Sequence, residues 1–310
     1  MDGWKGSLKS VLVGALTGTA IGLLGFLLSQ NHRPDTMGPV LFMLVPFASG
    51  FAIGILSQDT RSLIAASILA AMFALVMLIA WGWEGTLCVL MAIPLLFIGL
   101  GVGAALGLLF NKLITKFRGG NNNLTLTSVV LLSMPLLILA GHRVEKSTLI
   151  HPRRQVIIST IRLAAEPKEV WTDLQSFDSL SAKKPWLMYV GLPIPMRCVM
   201  EGSGVGAKRT CYFDHGYIQE TVTEWSPPNF MRLSIDRTNM PGRHWLGFEE
   251  ASYEVRRDGN ETVLTRNTTI ISNLYPVWYW RPLELWGVTS EHQYIFADLA
   301  RRLQWSSPIH

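Results

Sequence analysis

The sequence predicts a bundle of membrane-spanning helices followed by an α+β domain, in which an antiparallel sheet curves around a long C-terminal helix. Residues 1–141 contain only seven Lys or Arg and four Asp or Glu, whereas residues 142–310 contain twenty and eighteen. The second half also replaces long apolar stretches with short alternating segments between turn residues, which are typical of strands. The chain therefore divides into a transmembrane domain at 1–141, a basic linker at 142–154, a soluble domain at 155–304 and a tail at 305–310.

Five apolar stretches in the first part are long enough to be transmembrane helices, because about 20 apolar residues cross the hydrocarbon core of a bilayer. They cover residues 8–28, 38–57, 62–82, 86–110 and 124–141. None of them has an ionisable residue near its middle, where transporters and proton pumps usually keep one. A charge-coupled transporter is therefore not expected, whereas a lipid scramblase or a scaffold remains open.

Glycines recur at every fourth residue in three of these stretches. This spacing places them on one face of a helix, where they allow close approach of a second helix in lipid. Two interpretations follow: helix packing within one chain, or an interface with another copy or a membrane partner. The residues are Gly14, Gly18 and Gly22, then Gly50 and Gly54, then Gly99, Gly103 and Gly107.

Basic residues in the loops predict the orientation, because short loops rich in Lys and Arg stay in the cytoplasm. With five spans, the soluble domain then lies outside the cytoplasm, in the periplasm if the membrane is a bacterial inner membrane. The basic residues just after the fifth span oppose this orientation, although large domains translocate largely regardless of such charges. The residues on the predicted cytoplasmic side are Lys5, Lys9, Arg61, Lys112, Lys116 and Arg118.

The soluble half has the predicted order strand, two helices, six strands and a long helix. QVIISTIRLAA is rich in β-branched residues and predicts a strand, and Pro167 begins a helix with acidic residues in its first turn. A second, shorter helix is expected over 177–184. Six alternating segments follow, and their short connections favour an antiparallel sheet. One face of the last helix carries Leu285, Val288, His292, Ile295, Leu299 and Leu303.

This order resembles the helix-grip fold of the START, Bet v 1 and polyketide-cyclase superfamily. The resemblance is carried by STIRLAAEPKEVWTDLQSFD, GSGVGAKRTCYF, ETVTEWSPPNFMRLSI and the terminal helix, and it covers about residues 155–304. It implies a deep apolar cavity between the sheet and the last helix. Members bind lipids, sterols, polyketides or plant hormones, and a minority catalyse cyclisation or dehydration. They share no catalytic motif, so the resemblance implies a fold and a class of ligand but no reaction.

Eight residues are expected to line this cavity or its mouth. His292 is the unusual one, because it lies on the inward face of the last helix, where it could hold a polar head group or act as an acid or base. The alternative is a buried histidine bonded to a neighbour. The aromatic residues suit a ligand mouth, a membrane interface or core packing. The eight are Trp171, Met231, Trp245, Tyr253, Trp278, Leu285, Val288 and His292.

Two cysteines lie on the arms of one predicted hairpin. Cys198 and Cys211 are equally far from the turn at Gly204 and Val205, so they should face each other. Facing Cβ atoms in an antiparallel pair are about 4.5–5.5 Å apart, which is near the separation that a disulfide needs. The pair is therefore a disulfide candidate, and two free buried thiols are the alternative.

No pattern for a catalytic triad, a metal site or a phosphate loop is found in the sequence, and no cofactor or metal is expected. The charges of the soluble half are mixed in sign, which disfavours nucleic acid as a partner. Three hypotheses remain. The first is a membrane-anchored binding module for an apolar small molecule such as a lipid. The second is a cyclase-like or dehydratase-like enzyme that uses His292 or Glu220 as acid or base. The third is a structural subunit of a membrane complex.

Overall fold

The computed structural model describes residues 2–32, 37–118, 123–148, 151–240 and 245–306. The chain forms two compact units. The first comprises Met1–His151 with Asn273–Pro276, and the second comprises Pro152–Ser272 with Val277–His310.

The first unit is helical throughout most of the part that the structure describes. Its second α-helix is preceded by a π-helical turn at Val40–Leu44. The helices are α1 (Asp2–His32), α2 (Val45–Leu56), α3 (Thr60–Ala80), α4 (Thr86–Arg118) and α5 (Asn123–Thr148). Because α5 continues to Thr148, the first half of the predicted linker at 142–154 is helical.

Four of these helices are long and apolar enough to cross a membrane. The remaining apolar helix, Val40–Leu56, is shorter. At 1.5 Å per residue it is about 25 Å long, somewhat less than the hydrocarbon core of a typical bilayer. The number of spans, and the orientation that depends on it, stay predictions. The four long segments are Leu8–Ser29, Thr60–Ala80, Thr86–Lys116 and Thr127–Glu145.

Local side-chain bonds fix where two helices begin. The Asp59 carboxylate accepts the Ser62 backbone N–H at 2.8 Å, and the Ser62 hydroxyl accepts the Asp59 N–H at 3.4 Å, so α3 starts with a capping box. In the second unit, Glu166 and Glu169 form the same motif at the start of the helix Pro167–Gln175. Pro167 occupies the first helical position there, as the sequence predicts, because its missing N–H would have no partner in any case.

The glycine faces pack within the chain. A Cβ atom on Gly50 or Gly54 would overlap the backbone of α4, and a Cβ atom on Gly103 or Gly107 would overlap the backbone of α2. The glycines of α1 face other side chains of the same unit: an added Cβ on Gly18 would overlap the side chain of Ile53. The remaining members lie close to neighbours in the same way: Gly14 to Ala66, Gly22 to Ser49, and Gly99 to Met43.

The second unit is a seven-stranded antiparallel sheet that holds a long C-terminal helix, which is the helix-grip arrangement. The strands are β1 (Arg153–Leu163), β2 (Pro195–Glu201), β3 (Lys208–Phe213), β4 (Gly216–Ser226), β5 (Phe230–Thr238), β6 (Leu246–Asp258) and β7 (Glu261–Ser272). Their order in the sheet is β1-β7-β6-β5-β4-β3-β2, so β2 to β7 form a meander and β1 joins β7. The helices are α6 (Pro167–Gln175), α7 (Trp186–Tyr189) and α8 (Val277–Ser306).

The core of this unit is formed by alternate strand residues, α6 and the later turns of α8. Met231 and Leu233 on β5 are fully buried, and Phe296, Leu299 and Leu303 of α8 pack in the same cluster. The predicted apolar stripe of α8 is therefore present in its C-terminal half.

The prediction of a helix over 177–184 is wrong. Phe177 forms two backbone hydrogen bonds with Cys198, each 2.9 Å long, which hold it extended beside β2. The Ser181 N–H is bonded to the Asp298 carboxylate of α8 at 2.8 Å. The short helix α7 begins only after Pro185. These tertiary bonds supply partners that a local helix would otherwise provide.

We expect Gly103→Ala to destabilise the first unit. The added methyl would overlap the carbonyl of Phe47, and overpacking of this kind costs about 1–3 kcal/mol. Thermal unfolding of the full chain in detergent measures the effect. The matched control is Gly101→Ala on the same helix, where an added Cβ meets open space. A control that lowered the unfolding temperature as much as Gly103→Ala would show that close contact between α2 and α4 is not the cause.

Candidate ligand site in the helix-grip domain

Three charged side chains occupy inward positions of the sheet. They are Arg209 on β3, Glu220 on β4 and Arg266 on β7. For each of them, the residues two positions before and two after are buried, so all three lie on the face that carries the core. The alternation that predicts the strands thus also brings these charges inside.

The three charges form a connected group with Tyr253 and Glu291, and we call these five residues the buried charge cluster. Arg209 Nη1 donates to Glu220 Oε2 and to Tyr253 Oη, both at 3.3 Å. Arg266 Nη1 lies 3.1 Å from Glu291 Oε2 on α8. The guanidinium carbons of Arg209 and Arg266 lie 5.4 and 5.5 Å from the centroid of the Tyr253 ring. The tyrosine therefore links the two cations through its ring as well as its hydroxyl.

Burial and charge oppose each other in this cluster. Burial raises the pKa of Glu220, while Arg209 and Arg266 act to lower it. For Arg209, burial acts to lower the pKa, but the Tyr253 oxygen and the Glu220 carboxylate outweigh it and raise the pKa. The same holds for Arg266, whose pKa is raised mainly by Glu291. Both arginines are therefore cationic, and a proton taken up by Glu220 would leave a net positive charge.

Two donors of the cluster have no acceptor among the residues that the structure describes. They are the Nε atoms of Arg209 and Arg266, both buried. The indole Nε1 of Trp245 is also buried and has no acceptor among the described residues. A buried donor without a partner costs about 1–3 kcal/mol, so such groups are usually bonded to water or to a ligand. The inner face of the domain thus offers unused hydrogen-bond donors on two cations.

His292 is fully buried and is bonded to the chain through both ring nitrogens. Nδ1 lies 2.8 Å from the Ser159 hydroxyl and Nε2 lies 2.9 Å from the Thr268 hydroxyl. Burial, and then the positive charge of Arg266, lower the pKa of His292 to about 2. The imidazole is therefore neutral near pH 7 and has no free nitrogen for a substrate. His292 is the buried, bonded histidine that the sequence left as the alternative to a functional group.

Three of the other expected site residues meet in the core. Met231 and Tyr253 are partners across β5 and β6, and Trp171 packs in the same cluster. Trp171 also makes an edge contact with Trp225, with ring centroids 5.0 Å apart.

The remaining expected residues divide between the interior and the surface. Trp245 and Val288 are buried, whereas Trp278 is 71% exposed. Leu285 is 44% exposed, so its predicted place on the inward stripe of α8 is wrong. Glu284 takes that place, because its carboxylate pairs with Arg153 of β1 at 2.8 Å.

Sequence reasoning missed Arg209, Arg266 and Glu291 as site residues. The signal was present for the two arginines, because each stands at a position where strand alternation requires a buried side chain. Glu291 precedes His292 on α8, and its role becomes visible only through its pairing with Arg266.

No protein-family model and no curated protein matches the chain. Solved structures match about half of it. A START superfamily protein from Mycobacterium smegmatis is 10% identical over 49% of this chain and 99% of its own, with a TM-score of 0.37. Norcoclaurine synthase from Thalictrum flavum, solved with dopamine and hydroxybenzaldehyde, is 13% identical over 51% and 91%, with a TM-score of 0.32. A Chromobacterium violaceum protein is 13% identical over 48% and 96%, with a TM-score of 0.33. At these identities no ligand or reaction is carried over.

Lowering the pH should destabilise the helix-grip domain through His292. Its pKa is about 2 in the folded chain, against an ordinary value of 6.5. Below about pH 6.5 the unfolded chain therefore binds a proton that the folded chain does not. As the pH falls below 6.5, this group should lower the free energy of unfolding by up to about 1.4 kcal/mol per pH unit. Above pH 6.5 the histidine is neutral in both states and should cause no loss of stability.

Denaturant unfolding of the wild type and of His292→Gln across this pH range measures the difference in slope. Ser159→Ala is the control, since it removes one partner and keeps the buried imidazole, and it should retain the slope of the wild type. Equal slopes for the wild type and His292→Gln would contradict the lowered pKa of His292 as the cause of the pH dependence.

Proposed function

We propose that the helix-grip domain is a binding module for an amphiphilic small molecule with an anionic or strongly accepting head group. The observation that carries this proposal is the pair of buried guanidinium groups in the buried charge cluster, each with an unused Nε donor. An acceptor atom of a ligand placed there would accept hydrogen bonds from both Nε atoms, in place of water. Arginine is well suited to this role, because it presents several donors in one plane.

The surroundings of the cluster favour a ligand that is apolar elsewhere. The neighbouring core contains Trp171, Met231 and Tyr253, and Val288 lies on the inward face of α8. An apolar body would pack against such side chains, while its head group binds the arginines. Lipids, fatty acids and other membrane-soluble carboxylates have this combination.

The membrane part of the proposal follows from the first unit. Its four long apolar helices are consistent with a membrane protein and would keep the binding module beside a bilayer. An amphiphile partitions into the bilayer, so the tether would raise its concentration near the module. We infer a membrane-anchored binding protein, with the bilayer and this amphiphilic small molecule as its partners.

An enzyme that uses His292 as acid or base fits the geometry less well. Both ring nitrogens are bonded, and a pKa of about 2 keeps the ring from taking up a proton near neutral pH. General acid or base catalysis works best when the pKa lies near the working pH. A binding role makes no such demand.

A carboxylate amphiphile should bind more tightly than its neutral or cationic analogues. Displacement of a fluorescent fatty acid from the full chain in lipid nanodiscs, by dodecanoate, dodecanol and dodecyltrimethylammonium, measures the order. The test variant is Arg209→Met with Glu220→Met, because removing the arginine alone would leave a buried unpaired carboxylate. It should weaken dodecanoate binding by about 10-fold or more, as expected for one lost charge-assisted bond.

Arg162→Met is the matched control, since Arg162 is a surface arginine of the same sheet with its side chain 59% exposed. It should bind dodecanoate as the wild type does. Equal binding by the double variant would place the ligand elsewhere and overturn the proposal. If none of the three compounds displaced the probe, the structural-subunit hypothesis would replace it.

We also infer that the helix-grip domain lies outside the cytoplasm, with a bacterial inner membrane as the membrane that fits the loop charges. In the structure Cys198 and Cys211 face each other across β2 and β3 and are joined as a disulfide. Both backbone groups of Cys198 are bonded to Phe177, so the two cysteines form the pair type in which side chains approach most closely. Disulfides persist in oxidising compartments and are rare in the cytosol.

The two cysteines should therefore be recovered as one disulfide-linked peptide pair from intact cells. Free thiols are blocked with an alkylating reagent during lysis, and non-reduced peptides are mapped by mass spectrometry. Cys88, the third cysteine, takes no part in this disulfide and should be alkylated, which provides an internal control for complete blocking. Full alkylation of Cys198 and Cys211 would place the domain in a reducing compartment.

A further inference from the structure

The first unit contains a buried group of Ser29, His142 and Glu145, which we call the Ser–His–Glu cluster. Ser29 Oγ on α1 lies 2.8 Å from His142 Nε2 on α5. The other ring nitrogen, Nδ1, lies 3.3 Å from Glu145 Oε2. Ser29 and Glu145 are each 5% exposed. The order hydroxyl, imidazole, carboxylate is that of a serine-hydrolase triad, with the same nitrogen facing each partner.

The carboxylate decides which nitrogen of His142 carries the proton. A neutral imidazole has one N–H and one lone pair, and Nδ1–H is the form that can donate to Glu145. Nε2 then presents its lone pair to Ser29. Ser29 Oγ donates to the carbonyl oxygen of Gly25 at 2.7 Å. Its O–H must turn from that oxygen to Nε2 before the imidazole can take the proton and activate the serine as a nucleophile.

The surrounding backbone holds the carboxylate in place. Glu145 Oε1 accepts the N–H of Val40 at 3.0 Å, at the start of the π-helical turn. A Cβ atom on Gly38 would overlap the carboxylate, so only glycine leaves room for it there. π-helical turns occur frequently at functional sites. Glu145 is thus fixed from two sides, and in turn it orients the His142 ring.

An apolar cavity of about 100 Å³ lies on the same side of α1. Gly18, Gly22 and Phe26 line it. Ser29 lies outside this lining but follows on the same face of the helix, about 4.5 Å beyond Phe26 along the axis. Leu41, which follows Val40, also lines the cavity. Small residues of α3 open the space, namely Ala70, Ala71 and Ala74. The lining suits an acyl chain, because such a chain has no polar atoms to satisfy, and a cavity of this volume takes a segment of the chain and not its whole length.

We propose that Ser29 is the nucleophile of an acyl-transfer site that hydrolyses a long-chain carboxylic ester, with a segment of the acyl chain in this cavity. Ser29 Oγ attacks the ester carbonyl carbon and its proton passes to His142 Nε2. The bond to the alcohol oxygen then breaks, and the departing alcohol takes that proton. Water next attacks the acyl–Ser29 ester and gives a proton to His142. Release of the carboxylic acid returns the proton to Ser29. The net reaction converts the ester and water to an alcohol and an acid.

The competing explanation is a polar clamp between α1 and α5. Hydrogen bonds across helices in a membrane contribute about 0.6–2 kcal/mol each, and such a clamp would need no reactive oxygen. The two explanations differ in one measurable property. A nucleophilic serine forms a covalent adduct with a fluorophosphonate, whereas a clamp serine does not.

The test treats the full chain in detergent with a long-chain alkyl fluorophosphonate and maps the adduct by peptide mass spectrometry. The proposal expects one adduct on Ser29 of the wild type, so no variant is needed for the first result. His142→Gln should slow labelling by about 100-fold or more, because the general base is lost. Ser10→Ala is the control on the same helix; Ser10 is buried and bonded to the Leu56 carbonyl at 3.0 Å, and its loss should not change labelling.

A second measurement tests the cavity. Ala74→Phe should raise the KM for the nitrophenyl ester of a long-chain acid relative to that of acetic acid, because the ring occupies the space of the acyl chain. If Ser29 of the folded wild type remains unmodified while a known serine hydrolase in the same tube is fully labelled, the proposal fails. Destabilisation by Ser29→Ala without any wild-type adduct would establish the clamp instead. Neither result bears on the ligand site of the helix-grip domain.

Discussion

Polar groups in an apolar interior need partners, and this constraint determines how α8 lies in the helix-grip domain. Glu284, His292 and Asp298 are all buried on this helix. Glu284 is bonded to Arg153 on β1, and His292 to hydroxyls on β1 and β7. Asp298 accepts the N–H of Ser181. Burial acts to raise the pKa of Asp298, but this N–H and then the neighbouring arginines outweigh it and lower the pKa. Each of these groups would cost about 1–3 kcal/mol if it were buried without a partner, so the bonds fix both the rotation and the register of α8.

The same constraint explains how much of the fold could be predicted. Strand alternation identifies the sheet, because the inward positions of β5 and β7 are mostly apolar and the pattern has period two. Alternation and hydropathy could not identify the start of the buried stripe of α8. There an ion pair places a charged side chain inside and an apolar side chain outside. Glu284 is inward and Leu285 outward, which no hydropathy pattern indicates. The helix expected over 177–184 failed for a related reason: the bonds that hold Phe177 and Ser181 come from β2 and α8.

The candidate sites were harder to predict than the fold, because they depend on groups far apart in sequence. Arg209, Tyr253 and Arg266 come from three strands, and only the sheet brings them together. Ser29 and His142 are separated by 113 residues, and the apolar stretch that predicts the fifth span ends one residue before His142. The glycine pattern, by contrast, is local in sequence and can be read directly. Two of these glycines, Gly18 and Gly22, also line the cavity of the first unit.

The two backbone bonds between Phe177 and Cys198 have a consequence for association between copies of the chain. β2 is the last strand in the order of the sheet, and an edge strand with free N–H and C=O groups is a template for intermolecular strand addition. At Cys198 both groups are already taken by Phe177, whose ring packs beside the cysteines in a small buried cluster. A foreign strand would have to displace that ring as well as the two bonds. The two bonds to Phe177 thus leave no free backbone group at Cys198 for strand addition, which protects the folded chain against edge-to-edge aggregation.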